Sequence, residues 1–297
     1  MSSLGSSSHG FKMAIKPAEI VARAGDVGGY KADLGIPNSL VRGFMGGMFI
    51  AVGATLATVC STGLETSVGP GFKALIMGAV FPVGLVAIVI TGMSLFTSDT
   101  MLLPVAVFQG KTTWKKVGWA WLWVYAGNFA GSLFWAYLMY WGPLRKYGTA
   151  ELSVFGQSAV ALAQAKVLPY AAAGIAGLTS AFAKGIACNL LVNLAILLGL
   201  SADNTTGKIL GLWFPVMAFV ACGFEHSVAN MYTVPVGMML GGGITWTQFL
   251  IWNLLPVTVG NILGGAVFVG AAYSFCFKRE LSPANQSGPT LVERKAA

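Results

Sequence analysis

At 297 residues, with 56% hydrophobic and 9% charged side chains and a mean hydropathy of +0.72, the chain is too apolar for a water-soluble globular domain. Its net charge of +8 would suit nucleic acid, but the basic residues gather in alternate inter-span segments, which reads as membrane topology and predicts no nucleic-acid partner. The four cysteines, Cys60, Cys188, Cys222 and Cys276, show no paired ligand spacing, so neither a metal site nor a disulfide framework is expected.

Residues 1–16 begin Ser/Gly-rich without an apolar h-region, which predicts a disordered cytoplasmic tail and no cleaved signal peptide. Pro17 suits a first helical turn, and Ile20, Val21 and Ala24 make a short apolar stripe. A short surface helix near 17–25, stopped by the following glycines, is expected.

Six apolar segments then follow, at about 39–61, 74–109, 117–141, 167–200, 209–241 and 249–277, each long enough for the hydrocarbon layer. The first is rich in small residues (Gly43, Gly46, Gly47, Gly53), which suits close helix packing. The second is too long for one straight helix, and its polar middle, residues 91–100, predicts a break with a second half-helix from about Met101. The fifth has the same form, broken around 223–230. Loops 61–73, 142–166 and 201–208 are too short for a further domain, and residues 279–297 read as a second disordered cytoplasmic tail. Residues 17–278 therefore read as one transmembrane pore domain.

Two matches share one spacing. Phe81-Pro82-Val83 recurs as Phe214-Pro215-Val216, and Gly127-Asn128 with Gly131 recurs as Gly260-Asn261 with Gly264, each 133 residues later. Arg42-Gly43 has a looser counterpart in Lys184-Gly185. Repeats at about 39–141 and 167–277, with three spans each, must lie inverted relative to one another. Inverted repeats with one interrupted helix apiece are an arrangement of membrane transport, with the pathway between the two breaks. The fold class predicted is all-α integral membrane. With both termini cytoplasmic, 13 Lys and Arg fall inside, against Lys73, Arg145, Lys146 and Lys166 outside.

The most polar apolar-flanked stretch is 223–232. It carries Glu225, His226, Ser227 and Asn230, and His226 is the sole histidine besides His9 of the N-terminal tail. Ionisable groups at membrane depth usually face a pathway or a partner; the plainer reading of His226 is a packed, hydrogen-bonded core residue. An intramembrane enzyme needs a nucleophile and base or a metal set, which the lone His226 does not supply. A water channel of similar architecture needs paired Asn-Pro-Ala at its breaks, and the chain lacks them.

Four motifs carry a resemblance: Leu95-Phe96-Thr97-Ser98-Asp99-Thr100, the stretch Gly185 to Val192 with Asn189, Gly223-Phe224-Glu225-His226-Ser227-Val228-Ala229-Asn230, and Asn253 to Asn261. Together they resemble the formate/nitrite transporter family, over about residues 17 to 278. The resemblance implies an aquaporin-like fold of six helices, with helices two and five interrupted, in a homopentamer whose protomers each have a pore in the cytoplasmic membrane. It implies passage of small monovalent weak-acid anions, formate or nitrite first, with hydrosulfide, lactate or acetate as alternatives, and no cofactor. It implies Thr97 and His226 as the central polar pair and Asn189 and Asn261 as pore asparagines. Phe81, Leu85, Leu95 and Phe219 match its apolar constrictions, and Lys166 is the candidate vestibule lysine. Core packing is the competing reading for the two phenylalanines.

Glu225, Ser98, Asp99 and Asn230 are expected to hold the loops at the breaks. Glu225 would accept hydrogen bonds from loop amides. Asp99 stands where the family usually has Asn and is expected to cap the second half-helix. Thr97 is expected to set the His226 tautomer.

Overall fold

The computed structural model describes residues 15–147 and 149–282, and these are helical throughout except for connections and one isolated two-residue bridge. The predicted tails fall mainly at 1–14 and 283–297, outside the described residues. The helices are α1 Pro17–Ala32, α2 Ile36–Ser61, α3 Leu64–Ser67, α4 Pro70–Val80, α5 Val83–Thr91, α6 Phe96–Phe108, α7 Trp114–Trp141, α8 Val154–Ala173, α9 Ile175–Leu200, α10 Thr205–Ala221 and α11 Ser227–Met239. The last, α12, is Trp246–Cys276 and includes two π-helical stretches, Leu250–Leu254 and Gly264–Ala271. Among the described residues, four helical segments are long and apolar enough by themselves to cross a membrane: Ile36–Ser67, Pro70–Thr91, Ile175–Leu200 and Trp246–Cys276.

Both predicted interruptions are present. α5 ends at Gly92 and α10 runs out at Gly223, each with positive φ (75° and 68°). Only glycine adopts that conformation without strain, so each helix stops there and the chain turns. Extended residues follow, and a new helix starts at Phe96 or at Ser227. The first restart lies before Met101, so Thr97, Ser98 and Asp99 occupy the first turn of α6 rather than a loop. Asn230 likewise lies inside α11.

Three further expectations change. α1 does not stop at its glycines but continues to Ala32. Gly28 is a contact point: a methyl there would run into the carbonyl of Leu102 on α6. The segment 142–166 is not a loop, since α8 begins at Val154, where the Ser153 hydroxyl accepts the Gly156 N–H at 3.1 Å. The fourth span is correspondingly shorter at its start: Gly174 separates α8 from α9, which starts at Ile175.

The repeat holds at the level of single hydrogen bonds. Asn128 of α7 accepts the Phe96 N–H (2.8 Å) and donates to the carbonyls of Gly43 (2.7 Å) and Ser94 (3.0 Å). Asn261 of α12 accepts the Ser227 N–H (2.9 Å) and donates to Gly185 (2.8 Å) and Glu225 (3.0 Å). The Ser94 N–H donates to the Arg42 carbonyl and the Glu225 N–H to that of Lys184, both at 3.3 Å. Each break is therefore pinned to two helices by one fully buried amide, which satisfies backbone groups that have no helical partner. Tyr125 and Thr258, again 133 apart, bond to each other at 2.8 Å across the two halves.

Candidate functional site

The two breaks meet at His226. Its Nδ1 lies 3.0 Å from the Ala229 N–H and its Nε2 lies 3.0 Å from Thr97 Oγ1. A backbone N–H can only donate, so Nδ1 carries the lone pair and Nε2 the proton. Nε2–H therefore donates to Thr97, whose own hydroxyl proton is left available. The order of control is the reverse of the one the sequence suggested: Ala229 fixes the tautomer, and the ring in turn orients Thr97.

Apolar rings close around this pair. Phe219 stacks on the His226 ring (centroids 5.8 Å, planes 14° apart) and meets Phe81 edge-on at 5.8 Å. Phe81, Leu85, Leu95 and Phe219 are all buried.

Behind Thr97 sits Asn189 of α9. Its Nδ2 approaches the Thr97 carbonyl (3.1 Å), Thr100 Oγ1 (2.8 Å) and the Asn261 carbonyl (2.5 Å). Asn193, one turn on, also reaches the Thr97 carbonyl at 3.2 Å. Asn189 thus holds the helix that carries Thr97. Asn261 has every polar atom of its side chain engaged in the clamp and presents no amide to a pathway.

Glu225 points the other way, into a network with a lysine. Lys166 donates to Oε2 at 3.0 Å, Asn230 to the same oxygen at 2.8 Å, and Tyr170 to Oε1 at 2.8 Å. Asn253 bridges Asn230 and the Lys166 carbonyl, at 2.8 Å each. The partners of this carboxylate are side chains from α8, α11 and α12, not backbone amides of its own loop. Lys184 donates to Tyr170 at 3.1 Å and lies over its ring at 5.2 Å.

Asp99 does not cap α6, whose N-terminus has no side-chain cap. Instead Oδ1 accepts from Lys31 of α1 at 2.6 Å, and Oδ2 has no partner among the described residues. The side chain is 1% exposed, and a buried carboxylate gains far more from an ammonium than from a single N–H. Ser98 makes no cap either; its hydroxyl is without a partner.

A cavity opens on each side of the Thr97–His226 pair. One, of about 320 Å³, is lined by Lys166, Tyr170, Lys184, Phe81, Phe219 and His226 among others. The other, of about 310 Å³, is lined by Tyr30, Lys31, Arg42, Ser98 and Lys208 among others. Sequence reasoning singled out Lys166 and missed Lys184, Arg42, Lys31 and Asn128 as site residues. The repeat pairing of Arg42 with Lys184 and of Asn128 with Asn261 was the signal for three of them. Lys31, fixed by the length of α1, had none. No group of three or more His, Cys, Asp or Glu among the described residues is placed to hold a metal ion.

Interrupted helices that bring two half-helix starts together, with buried apolar rings around them and two lysine-lined cavities, are an arrangement of membrane transport. Comparison with known proteins gives the family. The formate/nitrite transporter model matches residues 18–275. A probable formate transporter of Methanothermobacter thermautotrophicus is 40% identical over 260 residues, covering 84% of this chain and 92% of the relative. The formate channel BtFdhC of Bacillus thuringiensis is 36% identical over 271 residues, 90% of this chain and 97% of that one. A solved pentameric formate channel with formate bound superposes with a TM-score of 0.68 at 32% identity, covering 82% of this chain and 98% of that one. The chain belongs to the formate/nitrite transporter family and is an integral membrane protein of transport, not an enzyme.

Proposed function

We propose that the protein conducts small monovalent weak-acid anions, formate or nitrite, through a pore in each protomer of a homopentamer. The observation that carries this is the Thr97–His226 contact, a buried hydrogen bond that leaves the Thr97 hydroxyl proton free between apolar rings, with a lysine-bearing cavity on either side. The relatives' names supply the substrate class, and the solved pentamer supports the assembly.

Lys166 and Lys184 draw an anion into one vestibule, while Lys31, Arg42 and Lys208 do so in the other. Phe81, Leu85, Leu95 and Phe219 form the dry section, where a bare charge is expensive. An anion that takes up one proton from vestibule water crosses as the neutral acid and releases that proton on the far side, so one proton accompanies one anion. At the centre the free hydroxyl proton of Thr97, oriented by the Nε2–H of His226, meets its oxygens. Asn189 and Asn261 hold the two half-helices in register, and Glu225, Asp99 and Asn230 are structural.

The fold reads as six spans in two inverted sets of three, at 39–141 and 167–277, within one pore domain at 17–278. The basic residues of the Lys31–Arg42–Lys208 end support a reading in which that vestibule and both termini face the cytoplasm, with the protein in the cytoplasmic membrane.

Purified protein in liposomes tests the reading. Formate and nitrite gradients should dissipate far faster than in protein-free vesicles. Fast water permeation without anion flux would refute it.

A further inference from the structure

The two vestibules are not equivalent, and the difference lies at Ser98. Sharing the spacing of Phe96 and Ser227, 131 residues, its counterpart in the second half is Ala229. In that half the N–H of Ala229 is taken by His226 and the residue has no hydroxyl, while the unpaired hydroxyl of Ser227 lies outside the lining of that half's cavity. In the first half the residue equivalent to His226 is Leu95, which offers no side-chain acceptor. Ser98 is 3% exposed and its hydroxyl has no partner among the described residues. Its N–H belongs to the first turn of α6, where such groups lack helical acceptors. A buried hydroxyl left without a partner is destabilising, so an unpaired one in a cavity wall calls for an occupant.

Charge in the same cavity points to the chemistry of that occupant. Lys31 is neutralised by Asp99. Among the described residues Arg42 donates only to neutral groups, the Gly92 carbonyl (3.3 Å) and the Tyr30 hydroxyl (2.9 Å). Lys208 forms no ion pair or side-chain hydrogen bond among the described residues. Two cations without carboxylate partners therefore share the cavity with a vacant pair of donors on one serine. In the opposite cavity Lys184, like Arg42, donates to a neutral group, the Tyr170 hydroxyl, but the Glu225 carboxylate and the Tyr170 hydroxyl are both hydrogen-bonded, and no unpaired serine lines the wall.

We propose that the Lys31–Arg42–Lys208 vestibule contains a binding site for one small monovalent oxyanion, held by the Ser98 hydroxyl and N–H and balanced by Lys208 and Arg42, with no counterpart in the other vestibule. The identity of the ligand as the transported anion rests on the conduction reading above. The consequence is sidedness: the pore saturates at lower anion concentration from this face than from the Lys166 face.

Initial formate flux in proteoliposomes of uniform protein orientation, with formate placed on one side at a time, reads this directly. Ser98→Ala should raise the half-saturating formate concentration about fivefold from the Lys208 face and leave the other face unchanged. Lys208→Gln should raise it about threefold on the same face, and Ser98→Thr, which keeps the hydroxyl, should match the parent. Equal shifts on both faces, or none, would overturn the site. Should the parent protein pass no formate, the conduction reading fails by itself. The site is then read from thermal unfolding in detergent. Formate should raise the parent's melting temperature and raise that of Ser98→Ala much less; equal shifts in the two would overturn it.

Discussion

The two helix breaks share a scaffold and differ in chemistry. In each, a glycine with positive φ stops the first half-helix, and one buried asparagine, Asn128 or Asn261, clamps the extended residues with three hydrogen bonds. On that common backbone the first break carries Leu95, Thr97, Ser98 and Asp99, and the second carries Glu225, His226 and Ser227. Even the ion pairs differ in placement. Asp99 sits in the first turn of α6 and depends on Lys31 alone, whereas Glu225 sits before α11 and is shared among Lys166, Tyr170, Asn230 and Asn253. The repeat therefore supplies geometry, and the departures from it supply the chemistry of the proposed pore: a donor on one side of the centre, a ring that orients it on the other.

Removing the clamps should have the largest effect. Asn128→Ala and Asn261→Ala each strand one buried N–H and two carbonyls, at a cost of about 3 kcal/mol or more. Thermal unfolding in detergent should show comparable losses for the two. A tolerated Asn128→Ala beside a crippled Asn261→Ala would break the equivalence of the halves.

The ion pairs should sharpen the contrast next. Lys31→Met leaves Asp99 buried without a cation and should cost about 3 kcal/mol. Lys166→Met leaves Glu225 with three neutral donors and should cost about 1 kcal/mol. Adding Asp99→Asn to Lys31→Met should recover most of the loss, since it removes the stranded charge. Were Lys166→Met the more damaging of the two, the shared network around Glu225 would not be the stronger anchor described here.

Thr97→Val comes third. It keeps volume but removes the hydroxyl that accepts from His226 and donates inward, and should slow formate flux about tenfold. Thr97→Ser should restore it. Equal flux in the valine variant would mean that His226 alone addresses the substrate.

Much of this was legible in the residues because polar groups are rare in the apolar segments and costly there. Thr97, Glu225 and His226 stand out for that reason, and the break positions follow from segment length and the glycines. The spacing of 133 residues exposed Asn128 and Asn261 as a pair, but not that their amides are consumed by backbone. That fact depends on which carbonyls lie within reach, which pattern alone does not carry. Asp99 was misread as a cap for a similar reason: its partner Lys31 is 68 residues away, on a helix whose extent was underestimated because glycines were taken as stops. α8 escaped notice because its small, mixed residues carry no strong apolar period, and its start is set by a single serine cap.

The central claim is that the Thr97–His226 pair is what allows an anion through the dry section. His226→Phe tests it most directly. The variant keeps an aromatic ring to stack on Phe219 while removing both ring nitrogens, so the oligomer should assemble as in the parent. Formate flux into liposomes, measured on protein of matched oligomeric state, should then fall by on the order of a hundredfold. Flux equal to that of the parent would contradict the account and make His226 a packing residue.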